Sequence, residues 1–138
     1  MFLLDTNIVS ELRKPRPHGG VVAWVKNVAD RDLHICAVTL AEIQSGIEIT
    51  RATDGLKAKE IEAWADMLEL AFDILPMDSA CFRRWARLMH GKSDALYEDA
   101  MIAATALEHE LTVVTRNVKD FRTFGVPLVN PFRRNDPL

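Results

Sequence analysis

Short apolar runs alternate with longer amphipathic segments along most of the chain. The short runs have the length and content of buried strands, and the segments between them place apolar residues at helical spacing. Strands are predicted over residues 2–4, 33–38, 72–77, 111–115 and 127–130. Helices are predicted over residues 6–12, 21–29, 39–50, 55–71, 78–90 and 97–110.

This alternation predicts an α/β domain with a central, mostly parallel sheet and helices on both faces. A single domain is expected over residues 1–132, followed by a short C-terminal tail, 133–138. Thr39 is predicted as the N-cap of the third helix, and Asp78 is predicted to open the fifth. Ligands of such domains bind beyond the C-terminal ends of the strands, so residues at those ends are candidates for function.

Four acidic residues follow predicted strands or begin predicted helices. Asp5 directly follows the first strand, and Glu42 lies in the first turn of the helix after the second. Asp99 lies in the first turn of the alanine-rich helix before the fourth strand, and Asp120 follows that strand. Because parallel strands end at one edge of a sheet, these carboxylates are expected to converge there.

Each acid taken alone has a simpler explanation. Glu42 and Asp99 suit a first helical turn, because the helix dipole favours negative charge there. Asp120 fits an exposed loop, and Asp5 fits an N-cap for the helix that begins at Thr6. A carboxylate at the end of a buried strand is nevertheless costly unless it binds something or caps a helix. The prediction of a site therefore depends on the four acids occurring together.

Converging carboxylates repel one another, and their repulsion raises the pKa of some of them. A divalent cation removes that cost. Mg²⁺ takes oxygen ligands and is usually held by one or two carboxylates together with waters and substrate phosphates. Such a cation promotes hydrolysis by polarising the phosphate and activating water. The acid pattern therefore favours metal-dependent phosphodiester hydrolysis.

Four spaced blocks resemble the PIN domain, specifically the VapC-like toxin ribonucleases of bacterial type II toxin–antitoxin pairs. The blocks are LLDTNIVSEL, VTLAEIQSGI, EDAMIAATALEHELTVVTRNVKDF and GVPLVNPF. The resemblance runs from residue 2 to about residue 132, although residues 51–90 carry no motif. It implies a three-layer α/β/α fold with a central five-stranded sheet, cleavage of RNA that depends on Mg²⁺ or Mn²⁺, and a homodimer. It also implies inhibition by a small cognate antitoxin, and binding to operator DNA only through the antitoxin complex.

The resemblance further implies roles for individual residues. Asp5 and Asp99 are the expected metal ligands, Glu42 completes the site directly or through water, and Asp120 assists. Asp120 is the nearest match to a family acid after T-R-N, and some members carry Asp at the position of Asn117. Polar residues beside the acids are expected to orient them by hydrogen bonds, with local turn and cap bonding as the alternative. These residues are Thr6, Asn7, Thr115 and Asn117.

Basic and aromatic residues give weaker indications. Arg83, Arg87 and His90 share one face of a predicted helix, where contact with RNA phosphates competes with the commoner solvated face. The three tryptophans lie among apolar residues of predicted helices, which favours core or dimer packing over base stacking. They are Trp24, Trp64 and Trp85.

Composition narrows the class of protein. The chain has 138 residues and a formal net charge of −3, which argues against coating nucleic acid by bulk positive charge. Cys36 and Cys81 are expected as small buried hydrophobes in a reducing cytoplasm rather than as a disulfide. Asp5 interrupts the N-terminal apolar run, so no secretory leader is expected, and no apolar run approaches the roughly 18 residues that a membrane helix needs. The protein is thus expected to be cytoplasmic.

Two other functions stay open from the sequence. A metal-dependent phosphatase also uses clustered acids, although the D-x-D-x-T pattern of one such class is replaced here by D-T-N. The second alternative is an interaction module that keeps the fold without catalysis, against which the four intact acidic positions argue. The sequence contains no P-loop, no G-x-G-x-x-G and no G-x-S-x-G elbow, so those nucleotide and hydrolase sites have no support.

Overall fold

The strands and helices follow the predicted alternation. The computed structural model describes residues 1–133, so the predicted tail beyond Arg133 lies outside the described residues. The strands are β1 (Phe2–Leu4), β2 (Leu33–Cys36), β3 (Asp73–Leu75), β4 (Thr112–Val114) and β5 (Leu128–Val129). The helices are α1 (Thr6–Arg13), α2 (Gly19–Lys26), α3 (Ala37–Arg51), α4 (Gly55–Ala71), α5 (Ser79–Met89), α6 (Tyr97–Glu108) and α7 (Val118–Arg122). Short 3-10 helices lie at Asp30–Asp32 and Asp94–Leu96.

The strands form one five-stranded sheet in the order β3-β2-β1-β4-β5. Every pairing in it is parallel, and β1 lies at the centre with Leu4 opposite Ile35 of β2 and Val114 of β4. The α/β fold with a central parallel sheet and helices on both faces is therefore confirmed. Because β1 and β4 are neighbours, residues that follow these two strands meet at the same edge of the sheet.

The sheet separates two apolar cores, and alternation along each strand divides the side chains between them. Leu3 and Val113 pack into the core on the α5, α6 and α7 side, whereas Leu4, Ile35 and Val114 pack into the core on the α1 to α4 side. All five of these side chains are fully buried. A Leu to Ala change at such a position costs about 2–5 kcal/mol of stability. This double burial explains why the strands are short and almost purely apolar.

Several helix boundaries agree with the sequence pattern. Helix α4 has the predicted bounds, and Asp78 caps α5 by accepting a hydrogen bond of 2.9 Å from the backbone nitrogen of Cys81.

Cys36 and Cys81 are buried and free, as expected. Within residues 1–133, no helix combines the length and the apolar composition that crossing a membrane requires.

The start of α3 differs from the prediction. The second strand ends at Cys36 instead of residue 38, and Cys36 is the N-cap residue, although its side chain accepts no hydrogen bond from the first turn of the helix. The prediction that Thr39 caps this helix was therefore wrong, because Thr39 lies inside α3, fully buried. Glu42 consequently lies in the second helical turn, not the first. Helix α2 also lies earlier than the predicted 21–29, since His18 caps it through Nδ1, which accepts from the nitrogen of Gly20 at 3.1 Å.

The short helix α7 was not predicted. It places Asp120 in a helical turn after β4, where the prediction had a loop. With one turn and only Phe121 buried, the segment has too little apolar periodicity for its helix to be found from sequence.

Candidate active site

Asp5 is the most buried of the four acids, with 4% of its surface exposed. Its backbone nitrogen donates to the carbonyl of Val114 at 2.9 Å, which extends the β1–β4 pairing by one residue. Its carboxylate accepts hydrogen bonds from the nitrogen of Thr6 at 2.7 Å, from Nδ2 of Asn7 at 2.8 Å and from the hydroxyl of Thr115 at 2.7 Å. Burial raises the pKa of Asp5, and the three hydrogen bonds oppose that rise. Asp5 both caps α1 and faces the edge of the sheet.

Glu42 reaches the same edge from α3. The hydroxyl of Thr6 donates to Oε1 of Glu42 at 2.7 Å. That hydroxyl also lies 3.0 Å from the hydroxyl of Thr39, and because Thr6 has one proton to give, Thr39 must be the donor of this second bond. Burial raises the pKa of Glu42, and the negative charges of Asp5 and Glu98 raise it further. Thr6 therefore joins the first strand end to the third helix.

Asn117 connects the remaining two acids. Its side-chain nitrogen donates to Oδ2 of Asp99 at 2.9 Å and to Oδ2 of Asp120 at 3.0 Å. Its backbone nitrogen donates to the hydroxyl of Thr115 at 2.8 Å, and this hydroxyl in turn donates to Asp5. A continuous chain of hydrogen bonds thus runs from Asp5 through Thr115 and Asn117 to Asp99 and Asp120.

The negative charges of the other three acids affect the pKa of Asp99. The pKa of Asp99 is raised from 3.8 to about 7, first by burial and then by the negative charges of Asp5, Asp120 and Glu42. The Asn117 hydrogen bond opposes this rise. A carboxyl group whose pKa is raised by burial and by three neighbouring carboxylates marks a strongly negative site.

The arrangement sets limits on how a cation would be held. Within residues 1–133, no three His, Cys, Asp or Glu side chains are placed to hold one metal ion together. Asp5 already accepts three hydrogen bonds, which leaves about one of its four lone-pair positions. Oδ1 of Asp99 and Oδ1 of Asp120 accept no hydrogen bond from the described residues. These free oxygens and the mutual repulsion suit a cation held by two carboxylates and completed by water or phosphate.

The structure brings together most of the residues singled out from sequence. The four acids and the four polar residues beside them form one hydrogen-bonded group. Thr39 belongs to this group and was missed, although its spacing of three from Glu42 in a helix places both on one face. Arg83 and Arg87 lie outside the group, on the exposed side of α5.

The fold is that of a known class of protein. The PIN domain family matches residues 2–126, and the chain belongs to this family. One curated relative is Toxin FitB from Neisseria gonorrhoeae, 35% identical over 96% of this chain and 99% of the relative. Another is VapC ribonuclease Y4jK from Sinorhizobium fredii, 33% identical over 96% of this chain and 98% of the relative.

Solved structures agree with this assignment to the PIN domain family. A chain from the structure of FitAB bound to an IR36 DNA fragment superposes with a TM-score of 0.85, with 32% identity over the full length of both chains. The crystal structure of FitAcB from Neisseria gonorrhoeae gives a TM-score of 0.80, with 35% identity over 96% of this chain and 99% of that one. The resemblance predicted from the sequence blocks is confirmed.

Proposed function

We propose that this chain is the toxin ribonuclease of a type II toxin–antitoxin pair, and that it hydrolyses RNA phosphodiester bonds with Mg²⁺ or Mn²⁺ bound to carboxylates. The observation that carries the proposal is the hydrogen-bonded group that brings Asp5, Glu42, Asp99 and Asp120 to one edge of the sheet, where burial and the neighbouring carboxylates raise the pKa of Asp99 to about 7. Relatives of this chain along nearly its whole length are named as a toxin and as a VapC ribonuclease. Neutralising four clustered carboxylates is the task that a divalent cation performs in nucleases.

Asp99 and Asp5 are the proposed principal ligands, with Glu42 and Asp120 assisting directly or through water. When bound, the cation would stabilise the negative charge that develops on the phosphate and lower the pKa of a water molecule. No three His, Cys, Asp or Glu side chains of residues 1–133 are placed to share one ion, so the proposed cation would take most of its ligands from water and substrate. Mg²⁺ and Mn²⁺ both accept such oxygen ligands.

The polar residues position the carboxylates. Thr115 and Asn7 hold Asp5 in one orientation, and Thr6 holds Glu42. The side-chain nitrogen of Asn117 donates to one oxygen of Asp99 and to one oxygen of Asp120, which leaves the other oxygen of each carboxylate free to bind the cation. Fixed carboxylates reduce the reorganisation that the reaction requires.

The proposed partners are a cognate antitoxin protein and, through the complex with it, operator DNA. The structures of FitAB on a DNA fragment and of FitAcB support this assignment, since they match the chain at 32% and 35% identity. A homodimer is part of the same proposal. Co-expression with the adjacent gene product tests for the antitoxin, a DNA-binding assay of that complex tests for the operator, and sedimentation of the purified chain tests for the homodimer.

The function is tested by comparing wild type with Asp99→Asn and with Asp66→Asn. Asp66 lies exposed on α4 and makes no ion pair or hydrogen bond among the described residues, so it is the matched control. Induced wild type and Asp66→Asn should arrest growth and cleave RNA in vitro, and EDTA should stop the cleavage. Asp99→Asn should remain folded and do neither. RNA cleavage by Asp99→Asn at the wild-type rate would overturn the site.

A second candidate function is an interaction module without catalysis. It is favoured by one observation, that within residues 1–133 no three potential ligands are placed around a common point. Titration of the protein with Mg²⁺ or Mn²⁺ in a calorimeter distinguishes the two. Saturable binding at millimolar cation that Asp99→Asn removes supports the nuclease, and no binding supports the module.

A further inference from the structure

Arg116 lies between two residues that hold the acids in place. Thr115, before it, donates a hydrogen bond to Asp5, and Asn117, after it, donates one to Asp99. All three residues follow β4, at the edge of the sheet where the carboxylates meet. The backbone of Arg116 is therefore fixed beside the acid cluster by the hydrogen bonds of its neighbours.

The side chain of Arg116 is held over an aromatic ring. The central carbon of its guanidinium lies 4.6 Å from the ring centroid of Phe132, which is a cation–π contact. Phe132 packs against the core on the α1 to α4 side of the sheet, so the guanidinium lies toward that side of the edge. Asp99 and Asp120 belong to α6 and α7, which pack on the other face. The cation and these two acids therefore lie on opposite sides of the sheet edge.

Phe132 is itself fixed by the start of α2. Its ring centroid lies 4.9 Å from that of His18, the residue that caps this helix. The preceding residue, Pro131, approaches the helix so closely that a Cβ on Gly20 would lie 2.5 Å from its carbonyl oxygen. Because the ring is anchored in this way, the guanidinium above it has less conformational freedom to lose when it binds a ligand.

The guanidinium has free donors. Arg116 is exposed, and its side chain makes no ion pair or hydrogen bond among the described residues. Arg51 and Arg84, by contrast, are each paired with a glutamate. A guanidinium carries five N–H donors in a planar fork whose geometry matches the oxygens of a phosphate. The cation–π contact uses none of these donors, so Arg116 is prepared to bind an anion.

We propose that Arg116, held by Phe132, binds a phosphate of the substrate RNA next to the phosphate that is cut. This inference rests on the proposed ribonuclease function. A strand whose cut phosphate lies at the acids continues in both directions, and toward α1 and α2 it meets this open guanidinium. The clustered carboxylates repel the neighbouring phosphates, and a fixed positive charge beside the cluster offsets that repulsion.

The site is tested by binding of a fluorescein-labelled single-stranded RNA at several salt concentrations, in EDTA so that the strand stays intact. Wild type is compared with Arg116→Gln and with Arg31→Gln. Arg31 is the matched control, because it is exposed, makes no ion pair or hydrogen bond among the described residues, and precedes β2 at the opposite edge of the sheet.

Arg116→Gln should bind the RNA about tenfold more weakly, the loss expected for one charge-assisted hydrogen bond. Its slope of log affinity against log salt should be shallower by about 0.7, which corresponds to one phosphate contact on a single strand. Arg31→Gln should retain the wild-type slope. With Mg²⁺ present, Arg116→Gln should raise KM more than it lowers kcat, because the proposed contact is not to the reacting phosphate.

Two further variants separate the charge of Arg116 from its support. Arg116→Lys should restore the salt slope but not the full affinity, since an ammonium group lacks the planar fork. Phe132→Leu keeps the charge and an apolar side chain but removes the aromatic face. It should keep the wild-type salt slope and bind RNA about two- to fivefold more weakly, as expected for a lost cation–π contact at an exposed site.

A purely structural role for Arg116 has a different signature. If Arg116 only fastens Phe132, then Arg116→Gln and Phe132→Leu should both lower the melting temperature, while the salt slope and KM of Arg116→Gln stay at wild-type values. That result would overturn the phosphate site. The site is also overturned if Arg116→Gln leaves RNA binding unchanged but weakens the complex with the co-expressed antitoxin, because the guanidinium then serves that protein.

The outcomes also distinguish the phosphate site from the ribonuclease function. If wild type cleaves RNA and Arg116→Gln does so with the same salt slope and KM, the phosphate site is wrong and the nuclease stands. If wild type cuts nothing but Arg116→Gln shows the shallower slope, the nuclease fails and the phosphate site stands. A wild-type protein that neither binds nor cuts RNA refutes both.

Discussion

The hydroxyl of Thr115 donates a hydrogen bond of 2.7 Å to Oδ2 of Asp5, across a separation of 110 positions in the chain. Thr115 directly follows β4 and Asp5 directly follows β1, and these strands are paired in parallel. Both residues are buried, so the bond is made away from competing water. The same hydroxyl accepts from the backbone nitrogen of Asn117 at 2.8 Å, so one atom sets the position of both halves of the site.

Removing this hydroxyl should damage the site without a change in shape. Thr115→Val leaves Asp5 and the nitrogen of Asn117 each short of a buried hydrogen-bond partner, which costs about 1–3 kcal/mol in the free energy of unfolding. RNA cleavage should fall about 10- to 100-fold, as is common when a residue that orients a ligand is lost. Thermal unfolding and single-turnover cleavage measure the two effects.

Thr112→Val is the matched control for that substitution. Thr112 lies on β4, the strand that Thr115 follows, is half-buried, and its hydroxyl makes no hydrogen bond among the described residues. It should change the unfolding free energy by less than about 0.5 kcal/mol. Equal losses of activity in the two variants would show that β4, and not the Thr115 hydroxyl, is responsible.

Asp99 should make the protein less stable as pH rises, in EDTA. Its pKa is about 7 in the folded protein against 3.8 as a free side chain, so the folded state binds more protons between these values. Stability then falls with increasing pH across this window, and the full cost is present above about pH 7. Asp99→Asn removes the charge and should be more stable than wild type at pH 8, by about 2 kcal/mol after allowing for solvent screening of a half-buried group.

The difference between the two proteins should shrink as pH falls from 8 to 4 and vanish below about pH 3, where the wild-type carboxyl is protonated in both states. Urea denaturation at intervals from pH 4 to pH 8 measures this difference, and each curve must retain the same m-value. Asp66→Asn should show no such pH dependence. A wild-type protein that is more stable than Asp99→Asn at pH 8 would contradict the mutual repulsion of the acids.

Cation binding should depend on pH through the same group. A carboxylate must lose its proton to bind a metal ion, so Mg²⁺ binding near pH 6.5 should release a proton from Asp99, whose pKa is about 7. The affinity should rise as pH increases from 6 to 8. Calorimetry in two buffers of different ionisation enthalpy measures the released proton, and identical apparent enthalpies in both buffers at pH 6.5 would refute the coupling.

Two glycines in helices should respond oppositely to alanine. A Cβ on Gly20 of α2 would lie 2.5 Å from the carbonyl oxygen of Pro131, a backbone atom, so Gly20→Ala should lower the unfolding free energy by about 1–3 kcal/mol. Gly46 of α3 has no atom within 4 Å of an added Cβ, and Gly46→Ala should raise it by about 0.5–1 kcal/mol. Thermal denaturation of both variants measures the contrast. A gain in stability from Gly20→Ala would show that the packing of α2 against Pro131 is looser than described.

The local sequence pattern predicted most of the strands and helices, and its short range explains the predictions that were wrong. Helix α4 was predicted with its bounds because it is long, and Asp78 was identified because a cap is a local interaction. Helix α7 was missed because it is one turn long. Thr39 was misplaced because its sequence neighbours resemble a cap, while its hydroxyl bonds to Thr6, which is distant in sequence.

The sequence by itself determined that strands and helices alternate, and that acids follow the strands of a parallel sheet or begin its helices. It also carried the blocks of the PIN domain. The tertiary structure alone decided the strand order β3-β2-β1-β4-β5, the pairing of Thr115 with Asp5 and the sharing of one Asn117 nitrogen by Asp99 and Asp120. Apolar periodicity reports which face of an element is buried but not which element covers it. Contacts between distant residues are therefore set by the packing of the sheet, where the raised pKa of Asp99 also originates.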